Sequence, residues 1–172
     1  MRFELDPQKS EVVWNASKVT GKHHGHVTMQ SGWIDIDEHG LLSAAEVIMD
    51  MTTITDDDLS NKTLNKTLTD HLKSADFFDA DSYPTSSLTV TNVRTSNQET
   101  TIGADVTIRG KKNTVEFGAQ ISKEGNGWRC KATLTFDRTL WDIKFRSGKF
   151  FSGLGDVLIH DQVTLDIDVV TK

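Results

Sequence analysis

The sequence has 172 residues, 36% hydrophobic and 26% charged, a length suited to one domain spanning 1–172 and a composition ordinary for a chain that folds around its own core. With 19 basic against 25 acidic residues the net charge is −6, the wrong sign for general attraction to nucleic-acid phosphates or anionic lipid surfaces. Cys130 is the sole cysteine, which excludes an internal disulfide and a cysteine metal cluster, and no run reaches the roughly 20 apolar residues of a spanning helix.

The chain opens on Met1-Arg2-Phe3-Glu4-Leu5-Asp6-Pro7, without the basic start and apolar stretch of a secretory signal. The expectation is a cytoplasmic chain, or a periplasmic one whose leader has been removed. Strands follow over Glu11 to Ser17, Val27 to Asp37 and, after the turn at Glu38-His39-Gly40, Leu41 to Met51. Val27 and Met29 face one way and Ile34 and Ile36 the other, so a bulge or bend is expected around Gly32.

Between Asp56 and Lys73, Leu64, Leu68 and Leu72 recur every four residues, the mark of one amphipathic helix whose first turn would carry Asp56, Asp57 and Asp58. Such a helix is expected to cover an open barrel end. Pro84 then favours extended chain, and a strand over Leu88 to Val93 follows.

Period-2 alternation is clearest in the second half. Ile102, Ala104, Val106 and Ile108 share a face, as do Val115, Phe117, Ala119 and Ile121 beyond the turn Arg109 to Asn113. Trp128, Cys130, Ala132, Leu134 and Phe136 continue after a second turn, and Val163, Leu165, Ile167 and Val169 form the last strand. The fold class read from this is all-β, an eight-stranded antiparallel barrel with one inserted helix, large enough for one small ligand. The small residues Ala104, Ala119, Cys130 and Ala132 favour a cavity over a barrel filled by its own side chains.

Asp70-His71-Leu72-Lys73-Ser74-Ala75-Asp76-Phe77-Phe78-Asp79, then Tyr83-Pro84, closely resembles the signature of the bacterial YceI-like family. The similarity continues through Val106-Thr107-Ile108-Arg109-Gly110, Asp137-Arg138-Thr139, Phe150-Phe151 and Gly155-Asp156, so it covers most of the chain in order. The resemblance implies a lipocalin-like barrel that carries a polyisoprenoid such as a quinone or prenyl diphosphate. Its known members are periplasmic or secreted.

On this reading the apolar cavity is expected to be lined by Trp33, Phe77, Phe78, Ile102, Ala104, Val106, Phe117, Ala119, Cys130, Ala132, Leu134, Phe136 and Trp141. A diphosphate or quinone head is expected near His71, Arg138, Lys144, Arg146 and Lys149, a basic cluster in an acidic protein; a solvated loop explains the same charges equally well. A partner of isoprenoid type is implied, with no cofactor, no nucleic acid and no stable membrane insertion; a homodimer is compatible with the sequence.

Chemistry has weaker signals. His71 beside Asp70 has the look of a general base, but no serine or cysteine nucleophile motif accompanies it, and Ser152-Gly153-Leu154-Gly155 matches neither a nucleophile elbow nor a phosphate loop. Catalysis on a lipid diphosphate is therefore the lesser alternative to binding. His24 and His26 share a strand face at metal-ligand spacing, with His23 pointing away and no third local ligand, so hydrogen-bonded histidines are expected rather than a metal site. The Asn15, Asn61 and Asn65 triplets are read as chance glycosylation matches.

Overall fold

The computed structural model describes residues 1–97 and 99–172. Its strands are β1 (Arg2–Glu4), β2 (Glu11–Lys18), β3 (Gly21–His26), β4 (Thr28–Ile36) and β5 (Leu42–Asp50), then helix α1 (Lys62–Lys73). After the helix come β6 (Thr85–Ser96), β7 (Glu99–Ile108), β8 (Lys111–Glu124), β9 (Gly127–Asp137) and β10 (Gln162–Val170).

These form one antiparallel sheet of ten strands, ordered β1-β4-β5-β6-β7-β8-β9-β10-β2-β3, in place of the expected eight. Each of the eight expected runs falls on a strand, those over 27–37 and 41–51 overrunning theirs by a residue at either end, and β1 and β3 are the additions. Nor is closure a continuous ladder. The curled sheet has edge strands β1 and β3, and its ends are stitched by Asp6 N–H to Val170 C=O (2.8 Å), Lys172 N–H to Glu4 C=O (2.9 Å) and Val27 N–H to Val12 C=O (3.1 Å). Such a seam leaves few free edge groups for another strand to pair with.

The register of β4 on β5 shifts between Met29 and Ser31, slightly ahead of the expected position. Gly32 instead makes room for a neighbour. A Cβ there would lie 2.8 Å from Leu5 Cδ1 and 3.0 Å from the Glu46 carbonyl, so its absence lets Leu5 sink into the floor of the core. At the β7–β8 hairpin, Arg109 and Gly110 both take positive φ, 52° and 69°, as a two-residue turn matched to strand twist requires.

The helix begins at Lys62, later than its leucine period suggests. Asn61 caps it, its side-chain oxygen accepting from the N–H groups of Thr63 and Leu64 at 3.0 Å. Asp57 and Asp58 are drawn instead to the β3 histidines, which keeps the preceding residues in a loop. No residue of α1 is buried, and Leu64 is 56% exposed, so the helix rests on the barrel end rather than plugging it.

Candidate functional site

The inward faces enclose an almost wholly apolar cavity of about 210 Å³. It runs from Leu5, Leu42, Cys130 and Val169 at one end to Leu72, Phe77, Phe78, Ile159 and His160 at the other. Strand alternation explains its wall: Cys130, Ala132, Leu134 and Phe136 of β9 face it together, as do Leu165, Ile167 and Val169 of β10. Burial in this wall pushes the Cys130 thiol up to about 11, with the Asp168 carboxylate adding to the rise, so the cysteine is a neutral, unreactive lining group.

Of the residues expected from sequence, Phe77, Phe78, Ile102, Val106, Phe117, Cys130, Ala132, Leu134, Phe136 and Trp141 line the cavity. Trp33, Ala104 and Ala119 do not. Ile34 faces the core, so its neighbour Trp33 lies on the outer face, where the Arg2 guanidinium stacks 3.5 Å from its ring. Ala104 and Ala119 are buried in the core cluster behind larger side chains and are too short to reach the lumen. Sequence reasoning passes over Trp14, Ile54, Ile143 and Ile159, which also line it. Trp14 faces in from β2 and Ile54 from a loop that crosses β3 at Gly25: Trp14 Nε1 donates to the Thr55 carbonyl at 2.9 Å, and a Cβ on Gly25 would stand 1.9 Å from that oxygen.

Most of the basic cluster is engaged by carbonyls and carboxylates of its own segment. Arg138 is 3% exposed and donates to the carbonyls of Ile143 (2.9 Å), His160 (3.2 Å) and Ile159 (3.2 Å), with Asp161 at 3.5 Å. Desolvation lowers its pKa from the usual guanidinium value, against the pull of Asp161 and Asp137. It stitches the irregular 138–161 segment to the barrel. Lys149 pairs with Asp137, which raises its pKa, and Lys144 pairs with Asp142 at 3.4 Å. Arg146 lies over the Phe145 ring at 5.0 Å.

His71 bonds Asp76 through Nε2 at 2.8 Å and stands edge-on to Phe77 and Phe145, at 4.9 and 4.7 Å between ring centres. These contacts hold the Phe77–Phe78 turn against the cavity mouth. The polar residues that reach the lining are Ser86, Ser87, Arg138 and His160, the last bonded to Ser17 Oγ at 2.8 Å. Phe150, Phe151 and Val157, on the segment that leads to His160, are exposed.

The family model of the YceI-like domain matches residues 3–171. The chain belongs to the YceI-like family. Among solved structures it is similar to BcnA of Burkholderia cenocepacia, with TM-score 0.76 and 18% identity over 98% of this chain and 99% of that one. A polyisoprenoid-binding domain from Saccharophagus degradans, implicated in plant cell wall breakdown, gives TM-score 0.70 and 12% identity over 99% and 97%. The Campylobacter jejuni YceI protein gives 0.60 and 20% over 81% and 78%. These likenesses establish a shared fold. No curated protein matches the sequence. Among the described residues of this YceI-like chain, no helix is long and apolar enough to cross a membrane.

Proposed function

We propose that this YceI-like protein binds a long apolar lipid, an isoprenoid chain, with the tail in the barrel and the head at the end formed by Phe77, Phe78, Ile159 and His160. The observation that carries the reading is the cavity itself, enclosed, lined by side chains of β2 and β4–β10, and bare of polar groups over nearly its whole surface. The polyisoprenoid-binding domain of similar fold supports the choice of lipid class.

Its volume limits how binding happens. About 210 Å³ is little more than the ~150 Å³ that holds benzene in an engineered cavity, and below the ~300–1,000 Å³ common for ligand sites. Each buried methylene gives about 0.8 kcal/mol, against an association cost on the order of 4–15 kcal/mol, so a tail short enough for the resting cavity gains little. A tail of several isoprene units gains enough, provided the lumen widens. The wall best suited to yield is the one carrying Leu72, Phe77 and Phe78, because α1 has no buried residue to anchor it.

Binding rather than catalysis fits the polar groups. His71, Arg138, Lys144 and Lys149 are engaged by Asp76, Asp161, Asp142 and Asp137, while Arg146 lies over the Phe145 ring. The test is displacement of a fluorescent lipid by prenyl compounds of one to eight or so isoprene units. Affinity rising with each unit until the barrel is full supports the reading; affinity independent of length, or no displacement, refutes it.

A further inference from the structure

We propose that His23, Asp56 and Asp58 form a site for one divalent transition-metal ion of the Zn²⁺ class, clamping β3 to the loop that leads into α1. The site is separate from the lipid cavity and does not depend on that reading.

One ligand atom from each residue falls in a group whose members all lie within 4.8 Å of one another. His23 Nδ1 is 2.9 Å from Asp58 Oδ2 and 3.9 Å from Asp56 Oδ2. Bond lengths of about 2.0–2.2 Å to zinc put neighbouring donors of a tetrahedron roughly 3.3 Å apart, so these separations bracket the requirement. Small side-chain rotations would satisfy it.

Asp56 supplies an independent sign. Its side chain is 0% exposed, and its Oδ2, the atom facing His23, has no hydrogen-bond partner among the described residues. A buried carboxylate oxygen without a donor is costly, and a cation is the partner that its surroundings otherwise lack. The other oxygens are already used in orienting the carboxylates. Asp56 Oδ1 accepts from Leu59 N–H (2.9 Å) and Asn65 Nδ2 (3.4 Å), and Asp58 Oδ1 accepts from His24 N–H (3.0 Å). Outer contacts of this kind fix the ligands of metal sites. The Oδ2 atoms of both are thereby turned toward the imidazole, that of Asp58 in hydrogen-bond contact with it and that of Asp56 without a partner among the described residues.

One nitrogen and two carboxylate oxygens suit zinc or a neighbouring first-row ion better than calcium or magnesium, which take oxygen sets. Three protein ligands leave a fourth position to water. The His24–His26 pairing suggested by strand alternation is not the one the fold makes, because His26 is taken by Asp57 and Glu11.

The experiment is calorimetric titration of the chelator-stripped full-length chain with Zn²⁺, with Co²⁺ absorption and histidine NMR as second readouts. One Zn²⁺ per chain is expected, with at least tenfold weaker binding in Asp56→Asn and in Asp58→Asn and unchanged binding in His26→Ala. If either Asn variant fails to fold, the wild-type chain still decides: Zn²⁺ must shift the His23 ring signals and leave those of His26. Absence of Zn²⁺ binding, equal binding by Asp56→Asn, or loss of binding in His26→Ala would each overturn the assignment. The first of these outcomes would leave Asp56 and Asp58 as a proton-sharing carboxylate pair.

Discussion

Ala132→Leu distinguishes an open lumen from a filled one by the sign of its effect. Ala132 faces inward on β9, between Ala119 of β8 and Ile167 of β10, and lines the cavity of about 210 Å³. Leucine adds three carbons, which at about 0.8 kcal/mol each would stabilise the empty protein by at most ~2.4 kcal/mol, reduced to roughly 1–2 by imperfect fit. The same carbons exclude an equal length of ligand tail, so lipid affinity falls by up to ~2.4 kcal/mol, about 50-fold. Urea unfolding and fluorescent-lipid displacement measure the two changes. A variant destabilised by about 1–3 kcal/mol with unchanged lipid affinity would mean that the barrel is already packed at this position, and would rule out an open lumen there.

Asn61→Ala removes the cap of α1 and is expected to cost about 1 kcal/mol in urea unfolding while speeding lipid release, since no residue of the helix is fully buried; an unchanged unfolding midpoint would show that the cap is idle. With its thiol near 11, Cys130 is expected to react with a disulfide reagent at pH 8 about 100-fold more slowly than free cysteine, and more slowly again with lipid bound. Labelling as fast as free cysteine would contradict the wall position. The His26 pKa is raised above its usual 6.5, chiefly by its hydrogen bond to Glu11 and further by Asp57, with desolvation opposing. Its stabilisation is therefore complete below pH 6.5 and lost as pH rises through the raised value. Because the side chain is 41% exposed, His26→Ala is expected to cost no more than about 1 kcal/mol at pH 5.5 and close to nothing at high pH; a penalty that grows with pH would reverse the sign.

The long strands are readable because β7 through β10 carry their apolar residues in period-2 alternation, one set of alternate positions facing the cavity. β1 and β3 lack that signal. Gly21–His26 contains no aliphatic or aromatic core residue; it becomes a strand by pairing Val13 with His26 and Ala16 with His23, and by the Thr55 loop lying on Gly25. The start of α1 is hidden for a related reason: three aspartates resemble an N-terminal turn, but the partners of Asp57 and Asp58 are histidines some 30 residues earlier, invisible to local pattern. The family signature around His71 and Phe77 marks the cavity mouth. In the basic cluster Asp142 is a sequence neighbour of Lys144, whereas the pairing of Lys149 with Asp137 and the approach of Asp161 to Arg138 are made by the fold. Trp33 shows the limit of residue type alone, since the inward turn of Ile34 decides that its neighbour faces out.

Whether the barrel carries a long isoprenoid lipid is decided by native mass spectrometry of protein purified from its own host, followed by organic extraction. An added mass on each chain, released by extraction as an isoprenoid, is the expected outcome. An empty protein that also fails to take up added long-chain quinones or prenyl diphosphates would contradict lipid carriage.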